Sequence, residues 1–154
     1  MDIGRDRQVG APDGNMVLDL FVLQQRIGEL MELALDGTGV RPAEYAVYSQ
    51  LGIAAMTPRE LGDRLGLTAS TLTGHLAALE RRAHARKVPH PGDRRSYRVE
   101  LTGAGRRSLT SCRTRFRRLL ELLEGNLSVE PEEVRAILVR LEAAAAATAT
   151  DLRG

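Results

Sequence analysis

The side chains with the clearest chemical potential are hydroxyl and basic groups in the middle of the chain. Ser70, Thr71 and Thr73 are short polar side chains, and on a helix such groups can reach base edges in a major groove. Arg94 and Arg95 follow a Pro-Gly pair, and a slim loop bearing arginine suits a minor groove, where narrowness concentrates negative potential. Simple exposure to solvent would explain the same residues without a partner.

The charge distribution favours a polyanionic partner. Residues 57–118 carry 15 basic and 5 acidic side chains, a net charge of +10, whereas residues 1–56 and 119–154 each carry −4. Acidic flanks would keep such a partner on the basic segment. A basic face that is merely solvated is the alternative.

Residues 57–81 carry the signals of two short helices joined by a tight turn. Thr57, Pro58 and Glu60 form a helix start with a capping box, followed by inward-facing Leu61 and Leu65. Gly66 then stops the first helix and Thr68 caps the second, whose apolar stripe is Leu72, Leu76 and Leu79. This arrangement predicts a helix-turn-helix.

Residues 86–101 predict a β-hairpin. Tyr97, Val99 and Leu101 alternate with charged residues, as in a half-buried strand. The turn is expected in the loop that contains Pro89, Pro91 and Gly92, which would put Arg94 and Arg95 near the tip.

Four more helices are expected around these elements. The first begins at Asn15 and is apolar on two sides, and the second begins at Pro42 in the stretch 42–55. Thr102 is expected to cap a long helix that ends at Gly125 and Asn126, and a last helix is expected from Pro131 to Thr148. The apolar stripe of the long helix comprises Leu109, Cys112, Phe116, Leu119 and Leu123.

Two sequence stretches resemble the MarR family of winged helix-turn-helix transcriptional regulators. The stretch ELGDRLGLTASTLTGHLAALERR is similar to the family's helix-turn-helix. The stretch PGDRRSYRVELTGAG resembles its wing signature, an Asp-x-Arg near the tip followed by Leu-Thr-x-x-Gly at the start of the long helix. Asp93, Arg95, Leu101, Thr102 and Gly105 fill those positions. The order of the helices extends the resemblance to nearly the whole chain.

The resemblance implies a mainly α fold of six helices, with a two-stranded β-hairpin wing and a helical dimerisation region. We expect residues 1–14 to be a disordered arm and residues 15–154 a single domain. Within it, residues 15–40 and 102–152 would dimerise and residues 41–101 would bind DNA. The implied function is a cytoplasmic, homodimeric regulator, expected to be a repressor, that binds a pseudo-palindromic operator in double-stranded DNA. The alternative is a homologue that has lost DNA binding and serves as a ligand-binding protein or an enzyme.

The resemblance also assigns site residues. The expected DNA-binding residues are Thr68, Ser70, Thr71, Thr73, Gly74, His75, Arg86, Lys87, Asp93, Arg94 and Arg95. Arg95 would enter the minor groove and Asp93 would orient it or its neighbours, while Arg86, Lys87 and Arg94 would contact phosphates. Family members bind small aromatic or phenolic effectors, for which Arg26, Tyr45 and Tyr48 are candidates, although core packing explains the tyrosines equally well.

Three residues depart from the family pattern. Gly74 stands where many members have an arginine that reaches DNA, Ala83 replaces a glycine after the recognition helix, and His84 replaces an apolar residue. These departures bear on the strength or the target of DNA binding and on the path into the wing.

Other chemistries have little support. Cys112 lies on an apolar stripe and is expected in the core rather than as a redox sensor. His84, His90 and Cys112 lack zinc-like spacing, and the G-x-G of residues 103–105 lacks the setting of a dinucleotide fold. We nominate no catalytic residue, metal site, cofactor, signal peptide or membrane span.

Overall fold

The computed structural model describes residues 9–154, and in this range the chain forms six α-helices and a two-stranded antiparallel sheet. The helices are α1 (Met16–Leu35), α2 (Pro42–Leu51), α3 (Pro58–Leu65), α4 (Ala69–Arg81), α5 (Gly103–Gly125) and α6 (Pro131–Arg153), and the strands are β1 (Ala85–His90) and β2 (Asp93–Leu101). The predicted mainly helical fold is confirmed. Of the predicted arm, residues 1–8 lie outside the described residues, and residues 9–14 contain a turn that the Gly14 N–H closes onto the Ala11 carbonyl.

The chain divides into two compact units. The first ends at Arg117 and contains the hydrophobic core, in which the predicted Leu61, Leu72, Leu76 and Leu79 are buried and Leu65 is half-buried. The second unit, Arg118–Gly154, comprises the end of α5 and all of α6, which buries none of its residues.

The helix-turn-helix follows its local capping signals. The Glu60 N–H donates to the Thr57 hydroxyl at 3.2 Å, and the Thr57 N–H donates to the Glu60 carboxylate at 2.8 Å. Gly66 then ends α3 with a φ of 63°, in the left-handed region that glycine tolerates. The Thr71 N–H donates to Thr68 at the start of α4. The turn between α3 and α4 is therefore produced by local interactions among neighbouring residues of the sequence.

The wing is a hairpin anchored on one residue of the preceding loop. β1 pairs with β2 from Ala85 opposite Leu101 to the turn at residues 91–92, and Met56 exchanges two hydrogen bonds with Val99, at 2.8 and 3.1 Å. Pro89, predicted in the turn, lies in β1 opposite Tyr97. That prediction was wrong because β1 is an edge strand, where a residue without a backbone N–H is tolerated.

Two helix ends differ from the sequence-based expectation. α2 ends at Leu51 rather than near residue 55, and a Cβ added at the following Gly52 would overlap with the side chain of Leu109 in α5. α6 continues past the predicted Thr148 to Arg153, since the alanine-rich end of the chain favours helix and contains no proline.

The segments that connect α4, β1 and α5 meet in a compact backbone junction. The Thr102 hydroxyl donates to the Ala83 carbonyl at 2.7 Å and accepts from the Gly105 N–H at 3.1 Å, as the predicted cap requires. The Thr102 N–H donates to the His84 carbonyl at 3.0 Å. A Cβ on Gly105 would overlap with that same carbonyl. The Leu-Thr-x-x-Gly sequence is therefore the set of residues that lets α5 start against the end of α4.

Replacing Ala83 by glycine should stabilise the protein. Ala83 has a φ of 55°, the only positive value at a non-glycine residue within residues 9–154. A Cβ in the left-handed region costs about 1 kcal/mol. We expect Ala83→Gly to raise the free energy of unfolding by about 1 kcal/mol in chemical denaturation at fixed protein concentration.

The matched control is Ala77→Gly in the interior of α4, which should lower the free energy of unfolding by about 1 kcal/mol because glycine disfavours a helix. Equal losses in both variants would contradict strain at Ala83.

Candidate nucleic-acid interface

The start of α4 presents an exposed group of hydroxyl side chains. The Thr68 hydroxyl donates to that of Thr71 at 2.9 Å and lies 3.3 Å from that of Ser70. The Thr73 hydroxyl donates back to the Ala69 carbonyl at 2.7 Å, so its oxygen can still accept a hydrogen bond. These four side chains form a polar end to the helix that the sequence assigned to base contacts.

Gly74 and His75 continue this surface along α4. A Cβ at Gly74 would meet no atom within 4 Å, so packing does not require a glycine there. His75 is half-buried, and its buried Nε2 has no hydrogen-bond partner within residues 9–154. The missing side chain at Gly74 leaves the helix surface open next to this imidazole.

The tip of the wing carries two unpaired arginines. The Asp93 carboxylate accepts a hydrogen bond of 2.9 Å from the Arg95 N–H, which fixes the backbone just after the turn. Arg94 and Arg95 are both exposed, and neither forms a salt bridge in the described part of the chain. Their guanidinium groups therefore remain available to an external anion.

At the base of the wing, the basic side chains form ion pairs with carboxylates of the same chain. Arg86 lies 2.6 Å from the Glu100 carboxylate on the opposite strand. The Lys87 amine lies 3.9 Å from the Glu80 carboxylate of α4 and 4.9 Å from the centre of the Tyr97 ring. Arg86 and Lys87, which the sequence assigned to phosphates, thus already have partners.

The comparisons with known proteins agree with this geometry. The model of the MarR family matches residues 38–96, which include α2, the helix-turn-helix and most of the wing. The HTH-type transcriptional repressor YetL of Bacillus subtilis is 29% identical over 97 residues, which are 61% of this chain and 58% of that repressor. The chain thus matches less than two thirds of the repressor's length. A probable transcriptional regulator from Pseudomonas aeruginosa has a crystal structure with a TM-score of 0.77 and 27% identity, covering 84% of this chain and 98% of that one.

These findings show that the chain is similar to the MarR family in residues 38–96 and to a solved regulator over most of its length. The fold is also that of the Mycobacterium tuberculosis transcriptional regulator MosR in its complex with DNA, with a TM-score of 0.75 and 23% identity over 88% of this chain and 98% of that one.

The residues that the MarR resemblance suggested for an effector do not line the cavity described below. Tyr48 is 1% exposed, Tyr45 stacks on Phe116 with the ring centres 4.1 Å apart, and Arg26 is exposed on α1. A cavity of about 870 Å³ lies instead between α1, the start of α2 and α4, and its lining includes Gln24, Gly28, Glu32, Arg41 and His75. The sequence alone could not indicate this cavity, because the lining residues come together only when α1 packs beside α2.

A buried ion pair was also missed by sequence reasoning. Glu44 is 4% exposed and accepts hydrogen bonds from Arg82 at 2.9 and 3.3 Å and from the Arg41 N–H at 3.1 Å. Burial acts to raise the pKa of Glu44, but the bonds from Arg82 and Arg41 outweigh it and hold the pKa below its usual value. Glu44 resembles an ordinary capping residue in the sequence, and 38 residues separate it from Arg82.

Cys112 lies in the hydrophobic core, where the sequence predicted it. Cys112 is 1% exposed, and burial raises the pKa of its thiol. No group of three metal-ligating side chains comes together within residues 9–154. In the same range no helix is long and apolar enough to cross a membrane.

Removing Arg82 should destabilise the protein far more than removing its neighbour Arg81. Arg82→Ala leaves the Glu44 carboxylate buried without its cation, and we expect a loss of about 2 kcal/mol in the free energy of unfolding at pH 7. Arg81→Ala removes an exposed arginine that has no salt bridge in the described chain, so its loss should be below about 0.5 kcal/mol.

The difference between the two variants should shrink in acid. Because the pKa of folded Glu44 is lowered, the ion pair stabilises the protein above the pKa of an unfolded glutamate and ceases to do so as the pH falls through the folded value. Denaturation midpoints of both variants between pH 7 and pH 3 test this expectation, and a constant difference would contradict it.

Proposed function

We propose that this protein is a cytoplasmic, sequence-specific DNA-binding transcriptional regulator, a repressor that binds a pseudo-palindromic operator as a homodimer. The observation that carries the proposal is the combination of an exposed hydroxyl end on α4 with unpaired arginines at the wing tip. A recognition helix and an arginine-bearing wing are the two elements with which winged helices bind major and minor grooves. The similarity of residues 38–96 to the MarR family supports the same function.

The two elements would divide the recognition of DNA. Ser70, Thr71 and Thr73 would meet base edges, since they are exposed at the start of α4. Arg95 would enter the minor groove and Arg94 would neutralise a phosphate, because neither guanidinium has a carboxylate partner in the described part of the chain. Arg86 and Lys87 would contribute mainly by stiffening the base of the wing through Glu100 and Glu80.

Unburied apolar side chains support the homodimer. On α1, Met16, Val17, Phe21 and Leu33 are all more than half exposed, and α6 exposes Ile137, Leu138 and Val139. Exposed apolar patches of this kind mark interaction surfaces. A two-fold dimer would present its recognition helices about 34 Å apart, one turn of the DNA duplex.

A small-molecule effector is part of the same proposal. The cavity beside α1 and α2 is of a size that accepts small ligands. Its lining combines apolar surface with the carboxylate of Glu32, the guanidinium of Arg41 and the imidazole of His75, which can orient a polar ligand. A ligand there would contact α1 and His75 of the recognition helix together and would thereby couple its binding to the position of α4.

Substitutions in the wing and in the recognition helix should weaken DNA binding in different ways. Arg95→Ala should weaken binding to the operator and to unrelated duplex alike, and should reduce the slope of log affinity against log salt by about one unit per lobe. Thr73→Ala should cost about 1 kcal/mol per half-site on the operator only and leave the slope nearly unchanged. Fluorescence anisotropy on both duplexes at several salt concentrations measures these effects.

The operator for this experiment comes from sequencing genomic fragments that the purified protein retains. Arg135→Ala on α6 is the matched control, because it removes an equally exposed arginine outside the proposed interface. Unchanged affinity and slope in Arg95→Ala would show that the wing does not touch DNA and would favour a ligand-binding homologue without DNA binding.

The homodimer should be stable at micromolar concentration. Sedimentation equilibrium is expected to give twice the chain mass of 16.8 kDa. Val139→Glu places a charge on a side chain that is 69% exposed in the single chain, so it should shift the protein toward monomer without lowering its helical content. A wild-type monomer at this concentration would contradict the proposed assembly.

A further inference from the structure

His84 connects the root of the wing to α2. Its N–H donates to the Leu79 carbonyl of α4 at 2.9 Å, and its carbonyl accepts from Thr102 just before α5. The Nδ1 of its ring lies 2.7 Å from the hydroxyl of Tyr48 in α2. One residue therefore contacts the end of α4, the start of α5 and α2, and β1 begins at the next residue.

The ring contact is built into the core. Tyr48 is 1% exposed, and its ring meets that of His84 edge-on, with the centroids 5.9 Å apart and the planes inclined at 67°. A buried hydroxyl requires a hydrogen-bond partner, and a lost partner costs more than the bond itself contributes. The Tyr48 hydroxyl also interacts with Arg82 and Ser108. Because a guanidinium can only donate, Arg82 cannot accept the hydroxyl proton, and an apolar residue at position 84, which the MarR pattern predicts, would remove the acceptor at Nδ1.

We propose that His84 is a positioning residue for DNA binding, which in its neutral form accepts the Tyr48 hydroxyl proton at Nδ1 and thereby holds the root of the wing on α2. The inference rests on the proposed function, because the quantity it controls is operator affinity. A wing that is no longer held at its root would carry Arg94 and Arg95 away from the position set by α4.

The charges around the imidazole make this contact sensitive to acid. Arg82 from its own segment and Arg107 from α5 both disfavour a positive ring, while the Glu44 carboxylate of α2 is already bound to Arg82. Burial, together with these two cations, lowers the pKa of His84 below that of a free histidine. Protonation would turn Nδ1 from an acceptor into a donor, so the Tyr48 hydroxyl could no longer donate to it and would have to accept from it beside the cation of Arg82, with which it already interacts.

The central test compares two substitutions at position 84. His84→Asn keeps an acceptor near the place of Nδ1 but cannot be protonated, so operator affinity at pH 7.5 should stay within about twofold of wild type and the variant should lack the wild-type loss of affinity in acid. His84→Leu removes the acceptor and should weaken binding about tenfold at every pH. Wild-type affinity should fall toward that of His84→Leu as the pH drops through the pKa of His84, which lies below that of a free histidine.

Tyr48→Phe, which removes only the hydroxyl oxygen, provides a second test. It should weaken operator binding about as much as His84→Leu does, and the double variant should be no weaker than either single variant, because all three lack the same bond. His90→Gln is the control for titration elsewhere in the wing and should retain the wild-type pH profile.

A readout without DNA separates this inference from the proposed function. Proton NMR titration of the three histidines should give a lowered pKa for His84 in wild type, and in Tyr48→Phe the pKa should rise, because the neutral ring loses its donor. An unchanged His84 titration in Tyr48→Phe, or a wild-type pH profile in His84→Asn, would overturn the inference. Absence of operator binding by the wild type, with the NMR shift intact, would overturn the proposed function instead.

Discussion

The position of every element around the proposed DNA-binding face depends on the backbone junction of residues 83–84 with residues 102–105. Thr102 closes it by donating to the Ala83 carbonyl and capping α5, and Gly105 lets the helix approach the His84 carbonyl. Because α4 ends, β1 begins and α5 begins within this junction, a shift of one carbonyl would move all three. The left-handed backbone of Ala83 is a cost that these hydrogen bonds offset.

The charges of the wing have two separate roles. At its base, Arg86 and Lys87 are paired with Glu100 and Glu80, so they stiffen the sheet and attach it to α4. At its tip, the guanidinium groups of Arg94 and Arg95 have no carboxylate partner within residues 9–154 that an anion would have to displace. The net charge of +10 over residues 57–118 therefore overstates the number of cations that are ready for a polyanion. The positions of the carboxylates in the structure, rather than the composition of the segment, distinguish the paired cations at the base from the unpaired ones at the tip.

Two polar contacts attach α2 to the residues that follow α4. These contacts are the Glu44–Arg82 ion pair and the Tyr48–His84 hydrogen bond, and both partners on α2 are buried. Buried polar groups contribute little net stability compared with apolar ones. They restrict packing, however, because only a few arrangements of the helices satisfy all their hydrogen bonds. In a chain with only five aromatic residues, these contacts complement an aliphatic core that could otherwise pack in several ways.

The sequence by itself determined the local structure of this protein. The capping box at Thr57 and Glu60, the left-handed Gly66, the cap at Thr102 and the alternation in β2 act over a few residues, so they could be read directly and predicted the fold class and most element boundaries. They also placed the hydroxyl groups on α4 and the arginines near the wing tip. Only the tertiary structure decided which of these side chains are paired, that Tyr48 is buried against His84 instead of facing a ligand, and that Glu44 meets Arg82 across 38 residues. Such contacts depend on how helices that are far apart in the sequence pack together. A pattern of residue types over a few positions does not specify which of these helices will meet.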